Sequence, residues 1–166
     1  MNEFRGVYAV LLTPFKEDES LDENALREHV DWLIDQGVHG MICTGSTGEV
    51  FSLSDEERRR VVKITIDEVQ GKVPVLVGSG ANSTAHTIMW SQHAESAGAD
   101  GLMIVHPYYA QPNERELYEH YETVAQSVQI PIMIYNSPFT TGVDMKPRLL
   151  ARLAEFDTIR YTKDAT

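Results

Sequence analysis

The sequence has little cysteine, little basic charge and no long apolar run. Cys43 is the only cysteine among 166 residues, which excludes an internal disulfide and favours a reducing compartment. Lysine and arginine total 14 against 25 aspartate and glutamate, a net charge of −11. Nucleic acids and anionic membranes bind basic surfaces, so we expect neither as a partner. No apolar stretch approaches the roughly 18 residues of a membrane span, and no basic-then-apolar leader opens the sequence. These absences predict a cytoplasmic protein.

Short apolar segments alternate with amphipathic segments of helical period along the sequence. The apolar segments predict strands over residues 7–12, 38–44, 73–77, 101–105, 131–135 and 158–163. The amphipathic segments predict helices over residues 21–36, 54–70, 83–97, 113–128 and 145–155. Regular alternation of this kind implies a parallel sheet covered by helices.

Two architectures of this class compete, an open doubly wound sheet and a (β/α)₈ barrel. The dinucleotide fingerprint Gly-x-Gly-x-x-Gly is absent after the first strand, which ends instead in Thr13-Pro14-Phe15. Unusual residues collect at the carboxyl ends of strands two to six, and a barrel enzyme keeps its chemistry on that rim. We therefore predict a parallel (β/α)₈ TIM barrel.

The predicted barrel is incomplete. A complete barrel needs eight strands and about 250 residues, whereas this sequence supplies about five strand–helix units and a sixth strand. We expect residues 1–166 to form one partial barrel domain, cut off just after Lys163. Either the chain is a fragment or something else completes it. An open remnant would expose two edge strands, so we do not expect it to fold stably alone.

Lys163 is the most informative residue. Of five lysines it alone closes an apolar, β-prone run. A poorly solvated amine at the mouth of a sheet favours its neutral form and can attack a carbonyl. A structural lysine that extends its amine to water is the alternative at this point.

Strand alternation indicates what lies beside this lysine. Ile159, Tyr161 and Lys163 share one face by the period of two, and Arg160 points to the other. If strands five and six are neighbours, Tyr135 meets Lys163 at one rim. A phenol beside an amine can shuttle protons during imine formation.

A glycine-rich turn follows the second strand, with the sequence Thr44-Gly-Ser-Thr-Gly-Glu49. Its backbone N–H groups and hydroxyls suit a carboxylate or a phosphate, and a phosphate-binding module is one hypothesis for the whole protein. A turn that merely caps a helix is the alternative. The sequence is not a Walker loop, because no Gly-Lys-Ser/Thr follows.

The fourth strand ends in His106-Pro-Tyr-Tyr109, whose tandem tyrosines line a pocket or an interface, or simply pack. The histidines are scattered along the sequence. Residues spaced i, i+2, such as His29 with Asp31, do not share a helix face, so we predict no metal site.

Taken together, the motifs resemble one known family. The following segments are in its order and spacing: Leu11-Leu-Thr-Pro-Phe15, Gly45-Ser-Thr-Gly-Glu49, Pro107-Tyr-Tyr109, Tyr135-Asn-Ser-Pro138 with Thr141-Gly142, and Lys163-Asp-Ala-Thr166. The sequence is similar to the dihydrodipicolinate synthase/N-acetylneuraminate lyase family over all 166 residues, which correspond to the first half or somewhat more of the usual chain. The family consists of (β/α)₈ barrels of the class I aldolase type, usually homotetramers.

The resemblance implies a role for each matching residue. Lys163 would form a Schiff base with the ketone of a 2-oxo acid, often pyruvate, and Tyr135 would shuttle protons. Ser46, Thr47 and Gly48 would bind the carboxylate of the 2-oxo acid. Thr47 would also join a proton relay with Tyr109, which acts across a subunit interface. The resemblance implies no metal and no organic cofactor, a small-molecule 2-oxo acid as substrate, and a homo-oligomer, dimer or tetramer.

Departures from the family's synthases bear on the substrate. Thr140 stands where a synthase typically has an arginine for its second substrate, Ser46-Thr47 replaces Thr-Thr, and Asp164 replaces a common glutamate. Two kinds of Schiff-base enzyme therefore fit the sequence. One is a lyase that acts on a 2-keto-3-deoxy sugar acid, or a related dehydratase or deaminase. The other is dihydrodipicolinate synthase proper, which we expect no more strongly than the first. A non-catalytic fragment or relative is the remaining hypothesis.

Overall fold

The structure is a computed structural model that describes residues 3–166. Its six strands are β1 Tyr8–Val10, β2 Gly40–Cys43, β3 Val75–Gly78, β4 Gly101–Val105, β5 Ile132–Asn136 and β6 Ile159–Asp164. Its helices are α1 Glu23–Asp35, α2 Asp55–Val69, α3 Thr84–Ala97, α4 Glu114–Ala125, α5 Pro138–Thr141 and α6 Pro147–Leu153, with a 3₁₀ turn at Val50–Ser52. Strands and helices alternate as the sequence predicts.

The chain divides into two compact units. The first runs to Gly78 and includes Ala97–Asp100, and it carries the parallel strands β1, β2 and β3 in that order. The second comprises Ser79–Ser96 and Gly101–Thr166, and it carries β4, β5 and β6, also parallel and in order. The single partial barrel domain over residues 1–166 stays a prediction.

Polar side chains cap the starts of α1, α2 and α4. Asp22 accepts a hydrogen bond from the Ala25 amide at the start of α1. Ser54 and Asn113 each form a capping box with the glutamate three residues on, which opens α2 and α4. Each side chain satisfies an amide that has no partner within the helix, so these starts are fixed locally.

The core of the first unit lies between its strands and the inner faces of α1 and α2. Leu26 of α1 and Ile64 of α2 are fully buried, as is Met41 of β2. On the outer side the two helices are joined by ion pairs, Arg27 to Glu68 and Arg60 to Glu23.

The core of the second unit is formed by its strands together with α4 and α6. Ile104 and Ile132 are buried on neighbouring strands, and Leu153 of α6 is fully buried. Tyr121 of α4 is also fully buried and donates its hydroxyl to the Ile104 carbonyl at 2.9 Å. Burial raises the pKa of this phenol, so it stays a neutral donor.

Two short elements lie where the sequence predicts loops, the 3₁₀ turn at Val50–Ser52 and α5. In α5, Pro138 occupies the first turn, where its fixed φ suits a helix start. The predicted helix over 113–128 ends at Ala125. Within residues 3–166, no helix has the length and apolar character that crossing a membrane requires.

Candidate active site

Tyr135 and Lys163 lie side by side in the second unit. They are paired residues at the ends of the neighbouring parallel strands β5 and β6. The Lys163 amine nitrogen lies over the Tyr135 ring, 4.1 Å from its centroid. Both side chains are half-buried. The structure therefore brings together the two residues that strand alternation predicts to meet.

A bulge in β6 makes this pairing possible. Ile159 pairs with Ile132, but the next residue of β5, Met133, pairs with Tyr161, so Arg160 is an extra residue on β6. Without this insertion, the same start would place Thr162 opposite Tyr135. The exposed Arg160 closes the bulge by donating from Nε to the Asp157 carbonyl at 2.9 Å.

The bulge also corrects the predicted face of Ile159. Strict alternation placed Ile159 with Tyr161 and Lys163. In the structure Ile159 is buried beside Ile132, whereas Tyr161 and Lys163 are half-buried beside Met133 and Tyr135. The extra residue changes the alternation between Ile159 and Tyr161, and local sequence does not reveal it.

The contact of the amine with the ring face has its own chemistry. An ammonium over a tyrosine ring is attracted by the ring quadrupole, by about 0.5 to 2 kcal/mol. The same contact leaves the Lys163 nitrogen at a fixed position beside the phenol that is predicted to move protons. Imine formation at a ketone requires a nucleophile and an acid–base group held close together, and Lys163 and Tyr135 have this arrangement.

Asn136 was given no role by the sequence analysis, yet it joins three segments beside this pair. It is 1% exposed. Its side-chain amide donates to Asp164 at 2.9 Å and to Asp144 at 3.1 Å, and its side-chain oxygen accepts from the Met145 amide at 3.0 Å. The available signal was its place between Tyr135 and a turn, where a buried amide needs partners.

The glycine-rich turn belongs to the first unit. Thr44 is buried, and its backbone is in the left-handed region, at a φ of 50°. Its hydroxyl donates to the Gly78 carbonyl at 2.9 Å. The turn that follows exposes Ser46 and Thr47. Their hydroxyls are thus available to a ligand, as the predicted carboxylate site requires.

Gly48 contributes to the turn differently from the prediction. Its amide donates to the Gly45 carbonyl at 3.1 Å, and the next amide, of Glu49, donates to Ser46 at 3.0 Å. These two donors are used within the turn, which leaves fewer for an anion than a phosphate cradle offers. A side chain at Gly48 would lie 2.9 Å from the Leu11 carbonyl, so the position requires glycine for close packing.

Tyr109 lies in the loop after β4 and is 89% exposed. Asn82 fixes this loop, because its side-chain oxygen accepts from the amides of Tyr108 and Tyr109 at 3.2 and 3.1 Å. No pattern in the sequence indicates this role of Asn82. Within this unit the ring of Tyr109 is presented to solvent, so the alternative that the tandem tyrosines only pack does not apply to Tyr109.

Thr140 lies in α5, three residues after Ser137. The two hydroxyls are hydrogen-bonded at 2.9 Å. Thr140 is exposed and brings no charge to the region just after Tyr135 and Asn136. It cannot supply the cation that an arginine would place there.

The first unit has a groove of about 750 Å³, which we do not regard as an active site. It is lined by the starts of α1 and α2, including Glu23, Arg60 and Lys63. Two of its cations form ion pairs, Arg60 with Glu23 and Lys63 with Asp67. Over residues 3–166, no three His, Cys, Asp or Glu side chains come together as a metal site.

The comparison with protein families decides the assignment. The model of the dihydrodipicolinate synthetase family matches residues 3–166. The chain belongs to this family. The resemblance inferred from the motifs is confirmed.

Curated relatives of the dihydrodipicolinate synthetase family agree. The chain is 46% identical over 163 residues to 4-hydroxy-tetrahydrodipicolinate synthase of Methanothrix thermoacetophila, and 47% identical over 164 residues to that of Nitrobacter hamburgensis. These alignments cover 98% and 99% of this chain but 55% of each relative. The chain therefore spans about half the length of the curated relatives it matches.

A solved structure of the family shows the same fold. Dihydrodipicolinate synthase of Acinetobacter baumannii, determined in complex with pyruvate, matches with a TM-score of 0.95 at 38% identity. The match covers 97% of this chain and 55% of that one. The predicted fold class is confirmed: a parallel α/β barrel, of which this chain supplies six strands and the helices between them.

Proposed function

We propose that the natural protein is a Schiff-base enzyme that joins pyruvate to a second, aldehyde substrate, as a 4-hydroxy-tetrahydrodipicolinate synthase. The observation that carries this proposal is the Lys163 amine fixed 4.1 Å from the centre of the Tyr135 ring, at two paired strand ends. The names of the curated relatives support the finer assignment.

Each step follows from one group. Once it has lost its proton, the Lys163 amine adds to the ketone carbon, and loss of water gives an imine that becomes protonated. This cation withdraws electrons, so the neighbouring carbon loses a proton and forms a new C–C bond with the aldehyde. Water then releases the product and restores the amine. Tyr135 transfers protons. Binding of the carboxylate by Ser46 and Thr47, which are exposed in the first unit, stays a prediction.

The relatives favour a synthase over the sugar-acid lyase expected from the sequence. That expectation rests on Thr140, on Ser46-Thr47 and on Asp164, and in the structure Thr140 brings no charge for a second substrate. A 2-keto-3-deoxy sugar acid is therefore the second candidate. A screen of pyruvate with aldehydes against cleavage of sugar acids distinguishes the two, and cleavage without synthesis would contradict the first.

The resemblance to the family supports a homo-oligomer, in which Tyr109, 89% exposed in this chain, would contact a second subunit. Light scattering of the natural protein checks this proposal, and a single-subunit mass would contradict it. The cytoplasmic location stays a prediction that fractionation of cells would test.

Borohydride reduction in the presence of pyruvate tests the Schiff base on the natural protein in its full length. We expect a stable mass adduct on Lys163, lost in Lys163→Ala. Lys63→Ala is the matched control, since Lys63 is an exposed lysine paired with Asp67, and it should keep the adduct. An adduct on another lysine, or none, would contradict the proposed function.

A further inference from the structure

Asn136 lies at the meeting point of the two strands that carry the amine and the phenol. It is the last residue of β5, directly after Tyr135, and its partner in β6 is Asp164, directly after Lys163. Its side-chain amide donates to Asp164 at 2.9 Å, and its carbonyl accepts from the Ala165 amide at 3.0 Å. The two strand ends are thus joined by side chain and backbone at once.

The same amide reaches a third segment. It donates to Asp144 at 3.1 Å and accepts from the Met145 amide at 3.0 Å. A hydrogen bond from Lys146, and then the one from Asn136, lowers the pKa of Asp144, so this acceptor is a carboxylate. Both polar atoms of the Asn136 side chain therefore have partners. The nitrogen donates to two carboxyl groups, and the oxygen accepts from a backbone amide.

Burial makes this arrangement rigid. Asn136 is 1% exposed, while its partner Asp164 is exposed and Asp144 is half-buried. A buried amide with every donor and acceptor satisfied adopts one orientation, because any other leaves a polar group without a partner.

The hydrogen bonds of Asn136 lie just beyond the β6 bulge, which sets the register of Lys163 and Tyr135. Arg160 shifts the register by one residue, and the shift alone brings Lys163 opposite Tyr135. The hydrogen bonds of Asn136 hold the shifted register at the strand ends, where pairing would otherwise end. A displacement of about 1 Å at a reacting group can cost on the order of 10²-fold in rate.

We propose that Asn136 is a positioning residue that fixes the Lys163 amine relative to the Tyr135 phenol through Asp164 and the end of β6. This inference rests on the proposed function for its kinetic consequence. In this role the Asn136 side chain contacts no substrate, so it affects the reaction only through the positions of Lys163 and Tyr135.

The first test measures borohydride trapping of pyruvate by the natural protein in its full length. Asn136→Ala should slow adduct formation by about 10²-fold, with a smaller change in the pyruvate concentration that gives half the maximal rate. In the Tyr135→Phe background the same substitution should have much less effect, because the geometry it disturbs no longer serves proton transfer. Equal effects in the two backgrounds would show a merely structural role and overturn the proposal.

Asp164 provides variants whose folding is not at risk, since its side chain is exposed. Asp164→Ala removes one acceptor of Asn136 and should slow trapping by roughly 10-fold, an intermediate effect of the same misplacement. Asp164→Asn keeps an oxygen that can accept the bond, and it should recover most of the rate. Parent rates in Asp164→Ala, together with parent rates in a folded Asn136→Ala, would overturn the proposal.

A second readout is independent of pyruvate. Acetic anhydride labels amines, and the labelling of Lys163 across pH can be compared with that of the exposed Lys63 and Lys72 in the same sample. Asn136→Ala should change the Lys163 profile and leave the two references unaltered. If the parent protein forms no pyruvate adduct but this shift occurs, the proposed function fails and the positioning role stands. An unchanged Lys163 profile in the folded variant overturns the role.

Discussion

At the scale of single residues, the ring and the hydroxyl of Tyr135 have separable roles. The ring face contacts the Lys163 amine, whereas the hydroxyl is the group proposed to move protons. Tyr135→Phe keeps the ring and removes the hydroxyl. We expect it to slow pyruvate imine formation by about 10² to 10⁴, the usual contribution of a general acid–base group. The rate of adduct formation under borohydride is the measurement.

Tyr135→Leu is the matched control for this experiment, because it removes the ring as well. If the ring helps to hold the amine, Leu should be slower than Phe. A Tyr135→Phe rate close to that of the parent would remove the phenol from the mechanism, whatever the result for Leu.

The sequence predicts the members of this pair but not the residue beside them. Lys163 is recognisable because it ends an apolar run, and Tyr135 because it shares a rim with it. Asn136 acts through Asp144, Met145 and Asp164, which are 8, 9 and 28 residues away in the chain. Such partners are set by tertiary structure, so no local pattern indicates them.

At the scale of elements, the start of α4 is fixed by its own sequence. Asn113 accepts from the amides of Arg115 and Glu116 at 3.0 and 3.1 Å, and the Glu116 carboxylate accepts from the Asn113 amide at 2.8 Å. Asn113→Ala leaves these amides without their cap, and we expect it to lower the free energy of unfolding by about 1 kcal/mol. Urea denaturation followed by circular dichroism measures this change.

Asn113→Asp is the matched control for the cap. Aspartate caps as well as asparagine, and its charge lies at the positive end of the helix, so stability should stay close to that of the parent. A loss as large as that of Asn113→Ala would mean that the side-chain oxygen is not what stabilises this start.

Element boundaries and strand pairing differ in how far the sequence determines them. Capping boxes and apolar periods are local, and the predicted starts at residues 54 and 113 are the caps that lie directly before α2 and α4. The bulge at Arg160 is not local, because it is defined only by the residues of β5 that lie opposite. The predicted face of Ile159 was wrong for this reason, while Lys163, beyond the bulge, was placed correctly beside Tyr135.

At the scale of the whole molecule, burial of charge-bearing groups sets how stability responds to acid. His120 of α4 is 5% exposed, with Nδ1 hydrogen-bonded to the Thr84 hydroxyl at 2.9 Å, and His106 nearby is fully buried. Desolvation, followed by the charge of His106, lowers the pKa of His120 from 6.5 to about 4. Its position follows the apolar stripe of α4 that also holds Leu117, Tyr121 and Val124. This stripe accounts for the inward-facing side chain, whereas its neutral state depends on the packed surroundings.

The sign of the resulting pH dependence is fixed by these two pKa values. An unfolded chain binds a proton at His120 near pH 6.5, while the folded chain binds it only near pH 4. Between these values the unfolded state carries more protons, so falling pH favours unfolding. We expect protonation of His120 in the unfolded chain to lower the free energy of unfolding by about 3 kcal/mol as the pH falls from 6.5 to 4. Above this window the group does not change the stability.

Urea denaturation of the full-length protein at a series of pH values, compared with the non-titrating His120→Gln, measures the difference. Parallel curves for the two proteins between pH 6.5 and 4 would contradict a neutral, buried His120, because both proteins have the same carboxylates and the difference between the curves isolates residue 120.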